Sequence, residues 1–205
     1  MPIGVQPDYV RLQLHKLQKW VAEVFQKKPV MRQPFERKIY QTGDLLEVGA
    51  RRYHLDVQIE SRATHTARLI GNTIQLQLSE KSTPNHLQKS IKTLLSRVVA
   101  GDFYPEIYRR VLDWNDRTFR QHIKSVNLKY NSTNWGSCSA HSNVNLSTRL
   151  LFAPEPVQDY VILHELAHLV ELNHSDRFWA LVETHMPDYP EKERWLKVNR
   201  AKCDF

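Results

Sequence analysis

The spacing of hydrophobic residues changes along the chain, and each change predicts a different element. Apolar residues in the stretch 8–28 recur every three or four positions, with Lys and Gln between them, which predicts an amphipathic helix. The later stretches LLEVGARRYHLDVQIE and ARLIGNTIQLQLSE alternate apolar and polar residues around Gly49 and Gly71. That alternation predicts strands of a small antiparallel sheet in the N-terminal half.

Two helices and two short strands are predicted next. Proline suits the first turn of a helix, so we expect one helix over 84–100 and a second over 105–122. Strands are predicted over SVNLKYN and VNLSTRLLF, with the loop STNWGSCSAHSN between them. Because strands and helices are interleaved irregularly, the pattern indicates an α+β fold.

The composition is that of a globular protein. The 205 residues are 41% hydrophobic, which is enough for a buried core. No apolar stretch approaches the roughly 20 residues that a membrane-spanning helix needs, and the first residues do not form a signal-peptide pattern. Two cysteines, Cys138 and Cys203, favour a reducing compartment over a disulfide scaffold. We therefore expect a cytoplasmic protein with no membrane partner.

The net charge of +7 comes entirely from the first half of the chain. Residues 1–102 hold 16 Lys and Arg against 9 Asp and Glu, whereas residues 103–205 hold 13 of each. Such an excess could form a surface for nucleic acid or another polyanion. A solvated basic face without a specific partner is the alternative, because the cations form no continuous run.

The strongest chemical signal lies in the helix predicted from Glu155 to Leu172. It contains His164-Glu165-Leu166-Ala167-His168. At about 100° per residue the two histidines lie about 40° apart on one face, so both can reach one ion. The other sides of this helix are apolar, and buried His and Glu are costly unless they are paired.

A catalytic zinc ion takes three protein ligands and leaves one position open, so a third ligand is needed. We expect it to be His174, because Asn173 tolerates the conformation that ends a helix and Ser175 can cap the next one. The predicted site therefore holds one Zn²⁺ per chain, with Glu165 as the catalytic base that activates the zinc-bound water. The alternative is a pair of core histidines bonded to carbonyl groups. Cys138 and His141 could be additional ligands, but we expect them to have a structural role under the cleft.

The residues around this helix resemble a known family. The segments Asn134-Trp135-Gly136-Ser137-Cys138, Asp159-Tyr160-Val161, His164 to His168 and Asn173-His174-Ser175 are similar to those of YgjP-like metallopeptidases, which are related to the SprT-like and WLM zincins. The resemblance covers about residues 125–200 and is weak over 45–80. It implies a zincin core, in which an antiparallel sheet packs on a buried metal-binding helix, with the same three ligands and the same Glu.

The chain is expected to divide into an N-terminal helix and linker over 1–40 and a metallopeptidase domain over 41–205. A tetrahedral intermediate also needs a hydrogen-bond donor opposite the metal. Candidates for this role or for supporting the site are Trp135, Asn145, Arg149 and Tyr189. The sequence does not choose among them.

The expected function is zinc-dependent hydrolysis of a protein or peptide substrate. Three alternatives stay open at this point. The zinc water could attack a nucleotide phosphoanhydride, the enzyme could be a protease that acts on DNA-bound proteins, or the zinc could be structural. The sequence does not determine the oligomeric state.

Overall fold

A computed structural model of the chain describes residues 7–27 and 39–205, which belong to two compact units, 1–38 and 39–205. The described residues of the first unit form the helix α1 (Pro7–Lys27), as predicted from the spacing of its apolar residues. Apolar side chains of α1, among them Leu14, Leu17 and Trp20, are exposed. Along the sequence, the boundary between the units after residue 38 lies two residues before the expected one after residue 40. The role of the second unit as a metallopeptidase domain stays a prediction.

The second unit begins with a four-stranded sheet in the order β1-β2-β4-β3. Its strands are β1 (Leu45–Val48), β2 (Arg51–Glu60), β3 (Thr66–Ile70) and β4 (Thr73–Ser79). Gly49 and Gly71, both with positive φ, make the tight turns of two hairpins. The strands were predicted, but the antiparallel sheet was wrong at its centre, where β2 and β4 pair in parallel. The reason is that the two hairpins join through their second strands, which run in the same direction.

A single helix, α2 (Pro84–Arg117), crosses the unit. The prediction of two helices separated near Pro105 was wrong. One face of α2 carries a buried apolar residue at every fourth position: Ile91, Leu95, Val99, Phe103, Ile107 and Val111. This stripe continues past Pro105, so packing outweighs the local cost of proline. Pro105 lies on the exposed face of α2. Gly101, whose carbonyl oxygen would otherwise accept a hydrogen bond from the N–H that Pro105 lacks, lies on the same face.

The second sheet has three strands in the order β5-β7-β6. They are β5 (Ser125–Lys129), β6 (Gly136–Cys138) and β7 (Asn143–Ser147). β5 is parallel to β7 and β6 is antiparallel to it, so this sheet is also mixed. The strand predicted over 144–152 ends early, because the Ser147 side chain accepts a hydrogen bond from the Arg149 amide and starts a buried 3-10 turn, Thr148–Phe152. β6 lies in a segment that was predicted to be a loop.

Three helices complete the second unit: α3 (Glu155–Ala167), α4 (Asp176–His185) and α5 (Tyr189–Asn199). α3 packs on α2, α4, α5 and both β6 and β7, and its Ile162, Leu163 and Leu166 are fully buried. It ends five residues before the predicted end at Leu172, and the next residues form turns. The α+β class is confirmed. No helix within 7–27 and 39–205 has the length and apolar character needed to cross a membrane.

An arginine of α2 fastens the start of α3. Arg110 Nη2 lies 2.6 Å from Asp159 Oδ1, and Arg110 Nη1 donates to Gln158 Oε1 at 2.9 Å. The same guanidinium donates to the carbonyl oxygen of Glu155 at 3.0 Å. α3 is therefore held by directional bonds at one end and by apolar packing along its length.

The continuity of α2 can be tested with Pro105→Ala. The substitution restores a helical N–H donor and removes the ring, so we expect the free energy of unfolding to rise by about 1 kcal/mol. Arg109→Ala, on the exposed face of the same turn, should change it by less than about 0.5 kcal/mol. The measurement is urea unfolding followed by circular dichroism. A loss of stability in Pro105→Ala would instead indicate that Pro105 begins a second helix.

Candidate metal centre

The three predicted ligands meet at one point. His164 lies in the last turn of α3, His168 follows the end of that helix, and His174 lies in the loop before α4. The Nε2 atom of His174 is 3.0 Å from that of His164 and 3.1 Å from that of His168. Among the residues that the structure describes, these histidines form the one group of three or more His, Cys, Asp or Glu able to hold a metal ion.

The geometry of the three nitrogens fits a metal ion. Two nitrogens bound to one tetrahedral zinc at about 2.0–2.1 Å are separated by about 3.3 Å, close to the spacing found. His168 Nδ1 lies 3.1 Å from the carbonyl oxygen of Glu171, which can only accept, so Nδ1 is the protonated nitrogen and Nε2 presents a lone pair. A ring nitrogen carries at most one hydrogen, so protons of neutral rings cannot satisfy both contacts of His174. A cation at the centre satisfies all three nitrogens.

The environment keeps the ligands in the form that binds metal. Burial, followed by the neighbouring His168 and His174, lowers the pKa of His164 to about 3. Burial also lowers the pKa of His168. The neutral imidazole is the metal-binding form, so these histidines do not need to lose a proton near neutral pH.

A buried phenylalanine forms the floor of the triad. The ring of Phe178 is fully buried, and its centroid is 4.9, 4.5 and 4.8 Å from those of His164, His168 and His174. Phe178 lies in the first turn of α4, where its backbone N–H donates to the Ser175 hydroxyl at 3.4 Å, as expected for a capping serine. The cap therefore orients the residue on which all three ligands rest.

Glu165 lies in the wall of the same cavity as the triad, a space of about 540 Å³. Its side chain is buried, and burial raises its pKa to about 8. Within the described part of the chain, Glu165 Oε2 has no hydrogen-bond partner. A buried carboxyl oxygen without a partner is costly, so this atom is available to a ligand or substrate in the cavity.

The segment Trp135-Gly136-Ser137-Cys138 leaves room for the buried side chain of Glu165. A Cβ atom on Gly136 would lie 2.6 Å from Glu165 Oε1 and 2.7 Å from its Cγ. Only glycine allows β6 to pass this close to the carboxylate. Cys138 at the end of β6 lines the cavity, and burial followed by the nearby Glu165 raises the pKa of its thiol to about 11.

The structure brings one of the four further candidates to the cavity. Trp135 lines it. Asn145 lies on β7, where its amide is 3.3 Å from the Ser137 hydroxyl. Tyr189 stacks on other aromatic rings at the start of α5. These two residues are not among those lining the cavity.

Arg149 has a different environment from the one expected of a substrate-binding group. Its guanidinium is buried and donates to the carbonyl oxygens of Cys203, Ser132 and Arg200 at 2.7, 2.8 and 2.5 Å. It also lies over the Trp135 ring, 5.0 Å from the centroid. Arg149 thus ties the segment before β6 to the segment after α5, behind the cavity wall.

Sequence reasoning gave no role in the site to several residues of the cavity wall, among them Tyr160, Lys197 and Arg200. Tyr160 precedes His164 by four positions, one helical turn, so helical spacing could have found it. Lys197 and Arg200 come from α5 and the residue after it. No local pattern links α5 to the metal helix, and only the tertiary fold brings them together.

The close approach of Gly136 to Glu165 can be tested with Gly136→Ala. β6 is fixed by pairing with β7 and Glu165 is buried, so the added methyl group should lower the free energy of unfolding by about 1–3 kcal/mol. Gly101→Ala is the matched control, because nothing lies within 4 Å of a Cβ at this helical position. It should raise stability by about 0.5–1 kcal/mol. Equal stability of the two variants in urea unfolding would contradict the close approach.

Comparison with solved structures finds two archaeal metallopeptidase zymogens. Abylysin of Pyrococcus abyssi is 23% identical, and the match covers 45% of this chain and 93% of abylysin with a TM-score of 0.41. Jannalysin of Methanocaldococcus jannaschii is 21% identical, with coverages of 45% and 92% and a TM-score of 0.39. Similarities this weak support no conclusion about activity. No curated protein matches the chain.

The family comparison is stronger. The family model described as YgjP-like, metallopeptidase domain matches residues 1–199. The match begins at residue 1 and includes α1, which lies outside the range of about 125–200 covered by the sequence resemblance. It also includes the triad, Glu165 and the β6 segment. The chain therefore belongs to the YgjP-like metallopeptidase family.

Proposed function

We propose that this protein is a zinc-dependent peptidase whose metal is held by His164, His168 and His174 and whose catalytic base is Glu165. The observation that carries the proposal is the convergence of three imidazole Nε2 atoms in the cavity that also receives a buried carboxylate without a partner. Family membership supports a metal ion and a hydrolase. The proposal adds the identity of the metal, the ligands and the base.

Zinc suits this set of donors. Three neutral imidazoles favour zinc over the oxygen-binding cations calcium and magnesium. Three protein ligands also leave a coordination position for water or substrate, as in catalytic zinc sites. When bound, zinc supplies a Lewis acid that polarises the scissile carbonyl group and makes water more acidic. We propose one zinc ion per chain, within a zincin-type core formed by α3 and the second sheet.

Glu165 performs the proton transfers in this proposal. A cation held by the three histidines would lower the pKa of Glu165 again and favour its carboxylate form. That carboxylate takes a proton from the attacking water while the water oxygen bonds to the carbonyl carbon of the substrate. As the C–N bond breaks, the same carboxyl group gives that proton to the leaving nitrogen. Gly136 and burial hold the carboxylate in the cavity wall, so it can reach both positions from one place.

A peptide substrate is favoured by the strand beside the metal centre. β6 is an edge strand that pairs with β7 on one side, and its three residues line the cavity. An extended peptide can add to such an edge through backbone hydrogen bonds. This would place a peptide bond beside Glu165, which β6 approaches closely.

Nucleotide or nucleic-acid substrates receive less support. Lys197 in the cavity wall is paired with Glu193 at 2.8 Å, and Arg200 donates to the carbonyl oxygens of Ser132 and Thr133. In the basic first half, Arg51 pairs with Asp102 and Glu106. Pairing of this kind weakens a polyanion surface. No observation in the site favours a phosphoanhydride or DNA-bound substrate over a peptide.

A reducing compartment such as the cytoplasm also belongs to the proposal. The sequence has two cysteines, too few for a disulfide scaffold. That agrees with a compartment in which thiols stay reduced.

The proposal is tested with Glu165→Gln, measured on a quenched-fluorescence peptide library together with metal content. The variant loses the base but keeps the ligands, so we expect about one zinc per chain and a loss of at least about 100-fold in cleavage rate. Glu193→Gln, which changes another carboxylate of the cavity wall, should keep most of the activity.

Unchanged cleavage by Glu165→Gln would contradict the assigned base. A wild-type protein that binds zinc but cleaves no peptide, while it hydrolyses nucleoside triphosphates, would favour the nucleotide alternative. Zinc binding without either activity would favour a structural site.

A further inference from the structure

We infer that Trp179 is a positioning residue for the metal ligand His174, through a row of four aromatic rings that links this ligand back to the metal helix. The inference rests on the proposed metal centre. It concerns how the third ligand is held in place before a metal ion binds.

His174 is the ligand with the least support from the backbone. His164 belongs to a buried helix, and His168 is fixed by the hydrogen bond from its Nδ1 to the Glu171 carbonyl oxygen. His174 lies in a loop and is exposed. Among the described residues its Nδ1 has no hydrogen-bond partner, so another interaction must orient the ring.

Aromatic stacking provides that interaction. The ring of His174 stacks on Trp179 with centroids 5.7 Å apart and an interplanar angle of 26°. Trp179 stacks on Tyr189 at 5.3 Å and 18°, and Tyr189 stacks on Tyr160 at 6.2 Å and 20°. The four rings are therefore nearly parallel and form one continuous row.

The row of rings connects His174 to His164 through residues of α4, α5 and α3. Trp179 lies on α4 and Tyr189 on α5, while Tyr160 lies on α3 one turn before His164. The edge of the row meets that ligand directly, because the Tyr160 and His164 rings are 5.9 Å apart in an edge-to-face arrangement. The loop ligand is thus connected to the helix ligand through side chains of three helices.

Trp179 acts on the ligand and not on the substrate. It is half-buried and is not among the residues that line the cavity. Its ring contacts those of His174, His164, Phe178 and Tyr189. A ligand that is already oriented loses less conformational freedom when the metal binds, and groups that orient ligands commonly change metal affinity 10- to 100-fold. Trp179 should therefore affect metal binding before any catalytic step.

The test measures the zinc dissociation constant by competition with a chromophoric chelator, and the visible absorption of the Co²⁺-substituted protein. Trp179→Leu removes the aromatic face, and we expect affinity to fall about tenfold and the Co²⁺ bands to change. Trp179→Phe keeps a stacking ring and should stay within about threefold of wild type.

Trp195→Leu is the matched control, because Trp195 is a half-buried tryptophan of the neighbouring helix outside the row. It removes the same side chain and should lower thermal stability while leaving zinc affinity and the Co²⁺ spectrum unchanged. Tyr189→Leu provides a second test if Trp179→Leu does not fold, because Tyr189 touches neither a ligand nor the cavity. We expect it to weaken zinc binding about threefold through the loss of one stacking contact.

Wild-type affinity in both Trp179→Leu and Tyr189→Leu would overturn the positioning role and leave the metal centre intact. Equal loss of affinity in Trp195→Leu would also overturn it, because the effect would then follow stability alone. A wild-type protein that binds neither Zn²⁺ nor Co²⁺ would overturn the proposed function, and the inference with it.

Discussion

The Nε2 atoms of His164 and His168 each lie about 3 Å from that of His174, and these two contacts are the constraint on which the rest of this structure depends. Protons of neutral rings can satisfy only one of the two contacts, so without a cation the fold has to supply the energy that holds the nitrogens together. That energy comes from the burial of α3 and from the fully buried ring of Phe178, which packs against all three histidines. The carbonyl oxygen of Glu171 also fixes the tautomer of His168. A metal ion bound at this point would satisfy all three nitrogens.

The position of Glu165 follows from the same helix. A residue next to His164 on a buried helix has to enter the core, where a carboxylate is costly. β6 accommodates the carboxylate because Gly136, which has no side chain, lies at the point of closest approach. The open edge of β6 therefore lies beside the carboxylate. The proposed base, metal ligands and peptide-binding edge are therefore consequences of one packing arrangement. α2 and β7 pack against α3 and help to keep it in place.

The convergence of the three histidines could be predicted from sequence because it depends on local periodicity. Two histidines four residues apart share a face of any helix, and a turn residue before His174 lets the chain return to them. The position of Ser175 as a cap followed from the same reasoning and is confirmed. These inferences need only helical geometry and the chemistry of single residues.

What could not be predicted depends on contacts between distant segments. α2 continues through Pro105 because a buried stripe on either side outweighs the local signal of proline. The parallel pairing of β2 with β4 depends on how two hairpins meet. Arg149 has the charge and the donors expected of a substrate-binding group. Its guanidinium, however, donates hydrogen bonds to backbone carbonyl oxygens more than 15 residues away in the sequence. Side-chain type alone does not reveal such partners.

The central claim, that these three histidines share one metal ion through their Nε2 atoms, is tested most directly by anomalous diffraction from crystals of the wild-type protein grown with zinc. Data collected on both sides of the zinc absorption edge should show one strong peak per chain between the Nε2 atoms of His164, His168 and His174, with a coordination position open to the cavity. A map without a peak there, in which the histidines hydrogen-bond only to protein groups, would contradict the account.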